Sequence, residues 1–188
     1  MKVIDNAVSF TDVADSAWYA DEVEFASSHG LFQGVGNNKF APAAPMTRAM
    51  LATVLYRLED AVATGANPFA DVADGTWYTE AVIWASAEGI VQGTGKGFEP
   101  NENITREQIA TMLYRYAKTI GLDVSGSAAL DKFSDGDKTS SWAKDAMQWA
   151  VSVGLFQGDD VGTLRPQGDA TRAEVAALLM RMVKLIVK

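Results

Sequence analysis

The stretch Thr171-Arg172-Ala173-Glu174-Val175-Ala176-Ala177-Leu178-Leu179-Met180-Arg181-Met182 decides how the rest of the chain reads. A threonine with a glutamate three residues on is a capping box. Its hydroxyl accepts the N3 amide, and the N3 carboxylate returns to the amide of the cap. Val175, Leu178, Leu179 and Met182 then fall at i, i+3, i+4 and i+7, an apolar stripe that requires a packing partner. The same text occurs twice more. Thr105-Arg106-Glu107-Gln108 is followed by Ile109, Met112, Leu113 and Tyr116, and Thr47-Arg48-Ala49-Met50 by Leu51, Val54, Leu55 and Leu58. Gln108 completes a second box, whereas Met50 breaks the third. All three threonines are expected to be helix N-caps.

Each of these helices ends a longer repeated unit. The units open with Phe10-Thr11-Asp12-Val13, Phe69-Ala70-Asp71-Val72 and Phe133-Ser134-Asp135-Gly136, and run to Trp18, Trp77 and Trp142. An aromatic follows seven residues later (Phe25, Trp84, Trp149). Next come the glycine stretches Gly30 to Gly34, Gly89 to Gly93 and Gly154 to Gly158, then Pro42, Pro100 and Pro166. Apolar and small residues between each tryptophan and glycine stretch form a second helical stripe, stopped by glycine. The aspartates Asp12, Asp71 and Asp135 are expected to cap or brace this first helix. Each unit is therefore helix, glycine loop, helix, with repeats at about 10–60, 69–120 and 133–188. Such a pair cannot bury both stripes alone, so one module over residues 1–188 with a shared core is expected.

Composition narrows the function. Hydrophobic residues make up 48% and charged residues 21% of the 188, which suits a packed globular chain. There are 16 basic and 24 acidic residues, a formal net charge of -8, and no Lys/Arg-rich run. That argues against nucleic acid as a partner. No run of about 18 apolar residues exists to span a membrane. Met1-Lys2-Val3-Ile4-Asp5 carries no apolar signal-peptide core, so an export signal is expected outside these residues. The absence of cysteine removes disulfides and thiolate chemistry.

With these motifs in order, the chain resembles the S-layer homology (SLH) domain family. That family's units carry an opening Phe-x-Asp-(Val/Ile), a tryptophan, a Gly-(Ile/Leu)-(Val/Phe)-x-Gly and a Thr-Arg-Ala-Glu-like motif. Thr171 to Glu174 matches the last in full; the other two copies match its first two positions. The resemblance covers Phe10 to the C-terminus. It implies an all-α fold of three helix-loop-helix repeats in a pseudo-threefold arrangement around a central three-helix bundle. It further implies a bacterial cell-surface module that binds pyruvylated secondary cell-wall polysaccharide in grooves between repeats and carries cargo domains. Unit three departs from the pattern with Gly136 and with one extra residue before Trp142, and unit one lacks the closing Glu or Gln, so the three grooves are not expected to be equivalent.

The residue chemistry suits an acidic sugar. Arg48, Arg106 and Arg172 stand at the first position of a helix, where free N–H groups and the dipole favour an anion. Their guanidinium forks match a carboxylate; the alternative is pairing with an acid such as Asp12 or Asp71. Removing Arg106 and Arg172 together is expected to weaken binding with little loss of helix. Trp18, Trp77 and Trp142 offer an indole face to a sugar, or else pack in the core. Gly34, Gly93 and Gly158 allow close sugar approach, or only supply positive φ. Gln33, Gln92 and Gln157 can bond sugar hydroxyls, or are solvated. Arg57, Arg115 and Arg181 read as structural cations suited to a helix C-terminus.

Other classes fit less well. His29 is the sole histidine, so neither a histidine triad nor a multi-histidine metal site can be built. Asp12, Asp15 and Asp21 lack EF-hand spacing, and neither metal nor cofactor is expected. Two carboxylates would suffice for a glycosidase, but no acid pair stands out. A helical repeat that binds protein is the remaining alternative. The expectation is a non-catalytic anchor.

Overall fold

The computed structural model describes residues 8–187; the opening Met1 to Asp5 segment lies outside them. Six α-helices follow one another: α1 (Ala20–Ser28), α2 (Arg48–Leu58), α3 (Thr79–Ala87), α4 (Arg106–Thr119), α5 (Lys144–Ser152) and α6 (Arg172–Ile186). Two short 3-10 turns, Gly136–Lys138 and Ser141–Ala143, precede α5. Extended pairing among the described residues is limited to isolated bridges, so the chain is all-α, as the stripes predict.

The helix boundaries follow from local chemistry. Thr47, Thr105 and Thr171 accept the amides of Met50, Gln108 and Glu174, and the boxes at Thr105 and Thr171 are closed in both directions. The first helix of each repeat starts two residues after its tryptophan. It stops at Gly30, Gly89 or Gly154, each at a φ of +71° to +77°. In each case the glycine N–H and the next residue's N–H fold back onto the last turn, as with Gly30 to Ser27 and Leu31 to Ala26.

Two compact units are present. Met46–Ala170 forms one; the chain up to Pro45 and from Thr171 forms the other. Within them α2 packs on α3, α4 on α5, and α1 on α6. A repeat's first helix thus buries its stripe on the second helix of a different repeat. In the larger unit Met46, Ile104 and Ala170 each precede a capping threonine and close a ring of backbone bonds. Met46 N–H donates to Ala170, Ala170 N–H to Ile104, and Ile104 N–H to Met46. All three residues are fully buried, so each of these bonds is shielded from water.

The repeated aspartates do not brace the first helix. Asp12 accepts the amides of Phe40 and Ala41 at 2.8 Å each, Asp71 those of Phe98 and Glu99, and Asp135 those of Leu164 and Arg165. Ala41, Glu99 and Arg165 are non-glycine residues at φ +57°, +57° and +49°. Each carboxylate clamps the left-handed kink of the loop between its repeat's helices, offsetting a conformation that costs about 1 kcal/mol or more.

For Asp12 and Asp71, partial burial pushes the pKa up, but the backbone N–H donors outweigh it and hold both below the ordinary value. A depressed folded-state pKa stabilises the fold above the unfolded value of about 3.9 and loses that contribution as pH falls through the folded one. The melting temperature should therefore hold from pH 7 to 5 and drop below about pH 4. Asp12→Asn with Asp71→Asn should flatten that drop; an unchanged acid limb would disconnect these loops from acid stability.

Candidate functional site

The three motif arginines adopt one geometry. Arg48 donates from Nε to the Phe98 carbonyl at 2.7 Å and from Nη2 to the Gln92 carbonyl at 3.1 Å. Arg172 does the same to Phe40 and Gln33, at 2.8 Å each, and Arg106 reaches Leu164 at 2.7 Å. Each guanidinium also lies over a phenylalanine ring: Arg48 over Phe98 and Arg106 over Phe156, both at 5.0 Å, and Arg172 over Phe40 at 4.6 Å. They are only 6%, 8% and 6% exposed.

This geometry corrects two expectations. The helix-start amides are not free. Arg48 N–H goes to Glu102 and Ala49 N–H to Pro100; Arg106 and Glu107 reach Gly168 and Pro166, and Arg172 and Ala173 reach Ala44 and Pro42. With N1 and N2 bonded to carbonyls and N3 bonded to the threonine, no amide pair is left for an anion. Nor do Arg48 and Arg172 pair with Asp71 and Asp12, whose oxygens are taken by loop amides.

Trp18, Trp77 and Trp142 are not core residues. They are 63%, 59% and 57% exposed, because each stands in the turn before its helix rather than on the buried stripe. Phe25, Trp84 and Trp149 occupy the helices, and Trp84 and Trp149 are buried.

Within the larger unit, Arg48, the loop Val91 to Thr94, the α4 face Gln108, Thr111, Met112 and Arg115, and Trp142 line a groove of about 380 Å³. Three repeats contribute to it. The volume is within the range of small-ligand sites. It presents two cations and an exposed indole, and its lining has no carboxylate. Burial pulls the Arg48 guanidinium below its ordinary pKa against the carboxylates of Glu99 and Asp71, and burial alone lowers Arg115. Both remain charged at neutral pH, since arginine does not deprotonate in proteins.

The other candidates separate. The Gln92 carbonyl holds Arg48 while its side-chain oxygen accepts from Arg115 Nη2 at 3.0 Å, so Gln92 belongs to the groove wall. The Gln33 carbonyl serves Arg172, and the Gln157 amide folds back to the Gly154 carbonyl. The glycines have a third reason beyond the two expected. A β-carbon at Gly34, Gly93 or Gly158 would meet Cε1 of the opening phenylalanine, Phe10, Phe69 or Phe133, at 2.8, 3.2 and 2.7 Å. Only Gly158 also has positive φ, +80°. Arg115 is the groove residue that the helix-dipole reading missed. Its signal was present: Gln108, Thr111, Met112 and Arg115 sit at i, i+3, i+4 and i+7 on α4.

Among the described residues no cluster of three or more His, Asp or Glu could hold a metal ion, and no helix is long and apolar enough to cross a membrane. His29 stacks on Phe25 at 4.3 Å and reaches its carbonyl, a contact confined to the end of α1.

Comparison with known proteins places this geometry in a family. The S-layer homology domain model matches residues 9–50, 68–110 and 132–176, more than half of the chain. The exoglucanase XynX of Acetivibrio thermocellus is 30% identical over 183 residues, 97% of this chain and 17% of that protein. The S-layer protein sap of Bacillus anthracis is 32% identical over 178 residues, 94% of this chain and 21% of its own length. The amylopullulanase of Thermoanaerobacterium thermosulfurigenes is 30% identical over 177 residues, 94% of this chain and 10% of the relative. The chain thus spans between 10% and 21% of the length of these much longer relatives. With three matched repeats, the chain belongs to the S-layer homology domain family.

Proposed function

We propose that this protein is a non-catalytic anchoring module of the bacterial cell surface whose Arg48 groove takes a carboxylate-bearing saccharide, most specifically a pyruvylated unit of secondary cell-wall polysaccharide. Membership in the SLH family supports the anchoring role and the cell-wall location. The relatives bear names of surface-layer proteins and glycan-degrading enzymes. Since this chain corresponds to a small part of each, it is read as the tether, with the cargo elsewhere.

The observation that carries the ligand class is the groove's charge. In a chain of net charge -8, two arginines and an exposed tryptophan share a cleft lined by no acid. Arg48 is desolvated and held by carbonyls and a ring, with the carboxylates of Glu99 and Asp71 acting on it from outside the groove lining, so a ligand carboxylate would add a charge-assisted partner on the groove side. Trp142 offers a flat apolar face to the C–H side of a sugar ring. A neutral glycan would use the indole but bring no negative charge to the two cations of the groove.

Titration with a defined pyruvylated disaccharide and its unpyruvylated twin tests this. The charged sugar should bind at least about tenfold more tightly, one charge-assisted hydrogen bond being worth roughly that. The module should also pellet with protein-free wall sacculi and lose this when hydrofluoric acid strips the polysaccharide. Equal affinity for the two sugars would remove the carboxylate from the recognition, and release of soluble sugar would make the protein an enzyme.

A further inference from the structure

The third repeat holds its tryptophan differently from the other two. Trp18 and Trp77 are each braced edge-to-face by the next residue, Tyr19 at 5.2 Å and Tyr78 at 5.0 Å. Ala143 follows Trp142, so that ring is missing where the repeat also carries an extra residue. In its place stands a buried carboxylate. Glu107, in the first turn of α4 and 4% exposed, accepts Ser140 N–H on Oε2 and Ser140 Oγ on Oε1, both at 2.9 Å. Ser140 begins the 3-10 turn Ser141–Ala143, and Ala143 N–H donates back to the Ser140 carbonyl at 2.9 Å, closing the turn around Trp142. Glu107 itself does not line the groove. The matching positions on α2 and α6, the helices against which the two tyrosine-bearing repeats pack, are Ala49 and Ala173.

We propose that Glu107 is a positioning residue that sets Trp142 as the wall of the Arg48 groove, replacing the tyrosine brace of the other repeats. The proposal rests on the reading of that groove as the saccharide site. A buried carboxylate satisfied by two donors of one residue fixes that residue's backbone and side chain together. The turn fixed in this way is three residues long and carries the exposed indole. Without Glu107, both Ser140 donors lose this acceptor, and the turn loses a tie to α4. An indole free to swing must be ordered by the ligand, which weakens binding without removing any ligand contact. The groove's affinity is therefore set partly by a residue that the sugar does not touch.

Glu107→Ala tests this, since alanine is native at the matching positions. Amide hydrogen exchange should show Ser140 and Ala143 losing protection while α4 and α5 keep theirs. Affinity for the pyruvylated disaccharide should fall about tenfold. Glu107→Gln, which can still accept Ser140 N–H and donate to Oγ, should restore most of both. A double-mutant cycle with Trp142→Ala decides the route: once the indole is gone, Glu107→Ala should cost little more. Additive losses, or full protection at Ser140 in Glu107→Ala, would overturn the positioning role. If the intact protein binds no disaccharide, the groove reading fails, and the exchange measurement alone still decides whether Glu107 holds the turn.

Discussion

Arg48→Ala should abolish measurable binding of the pyruvylated disaccharide and lower the stability of the fold by about 2–4 kcal/mol. One side chain does both because its donors are divided. Nε and Nη2 are spent on the carbonyls of Phe98 and Gln92, tying the start of α2 to the loop of the next repeat. The remaining face of the guanidinium borders the groove. Truncation strands two loop carbonyls, removes the cation over Phe98 and takes one of the two positive charges from the groove. Arg48→Lys separates the effects. A lysine keeps the charge but cannot fork between two carbonyls, so it should recover part of the binding and little of the stability. Urea melts and the titration check this together; a wild-type melt for Arg48→Ala would show the carbonyl bonds to be incidental. The same geometry changes what removing Arg106 and Arg172 should do. The sequence suggests helices left nearly intact, but both side chains bond buried loop carbonyls, so loss of stability should accompany loss of binding.

What could be read beforehand, and what could not, follows from the range of the interactions. The second helices were legible because a threonine, a box residue three positions on and an i, i+4 stripe are all local. Thr105 and Thr171 close their boxes as the spacing requires. The glycine stops were legible for the same reason. The tryptophans remained ambiguous between core and surface because a two-residue shift of the helix start decides it. With the helices starting at Ala20, Thr79 and Lys144, the indoles are left in the turns. Packing partners were not legible, because a stripe says that a helix must bury one face but not against which neighbour. The pairing of α3 with α2 rather than with α4 is a long-range outcome. The aspartates were misread for this reason too. Asp71 bonds amides 27 and 28 residues downstream, and only the left-handed Glu99 there explains why a carboxylate is needed. Arg115 was misread as a dipole partner because the groove it enters is built from three repeats.

The second large effect runs against the repeat pattern. Gly136→Val gives the third repeat the valine that the first two carry as Val13 and Val72, and averaging over repeats would rank it as stabilising. It should instead destabilise the protein by about 3 kcal/mol or more. Gly136 is buried, and a β-carbon there would run into the carbonyl oxygen of Leu130, lying 2.8 Å from its carbon and 3.0 Å from its side chain. That carbonyl cannot easily retreat, because its oxygen accepts Phe133 N–H at 3.0 Å and Leu130 is itself buried. The gain from replacing glycine, at most about 1 kcal/mol through the unfolded chain, is too small to offset the collision. The physical origin of the glycine is the altered opening of this repeat. The chain passes through the 3-10 turn Gly136–Lys138, carries one more residue before its tryptophan, and folds back against Leu130 on the way. Val72→Gly makes the opposite exchange, emptying a well-packed site and leaving a cavity, and should cost about 2 kcal/mol. Two substitutions that each move one repeat toward another should therefore both lower the melting temperature. A Gly136→Val protein that melts higher than the parent would mean that Leu130 yields freely, and that the departure in this repeat has no packing cause.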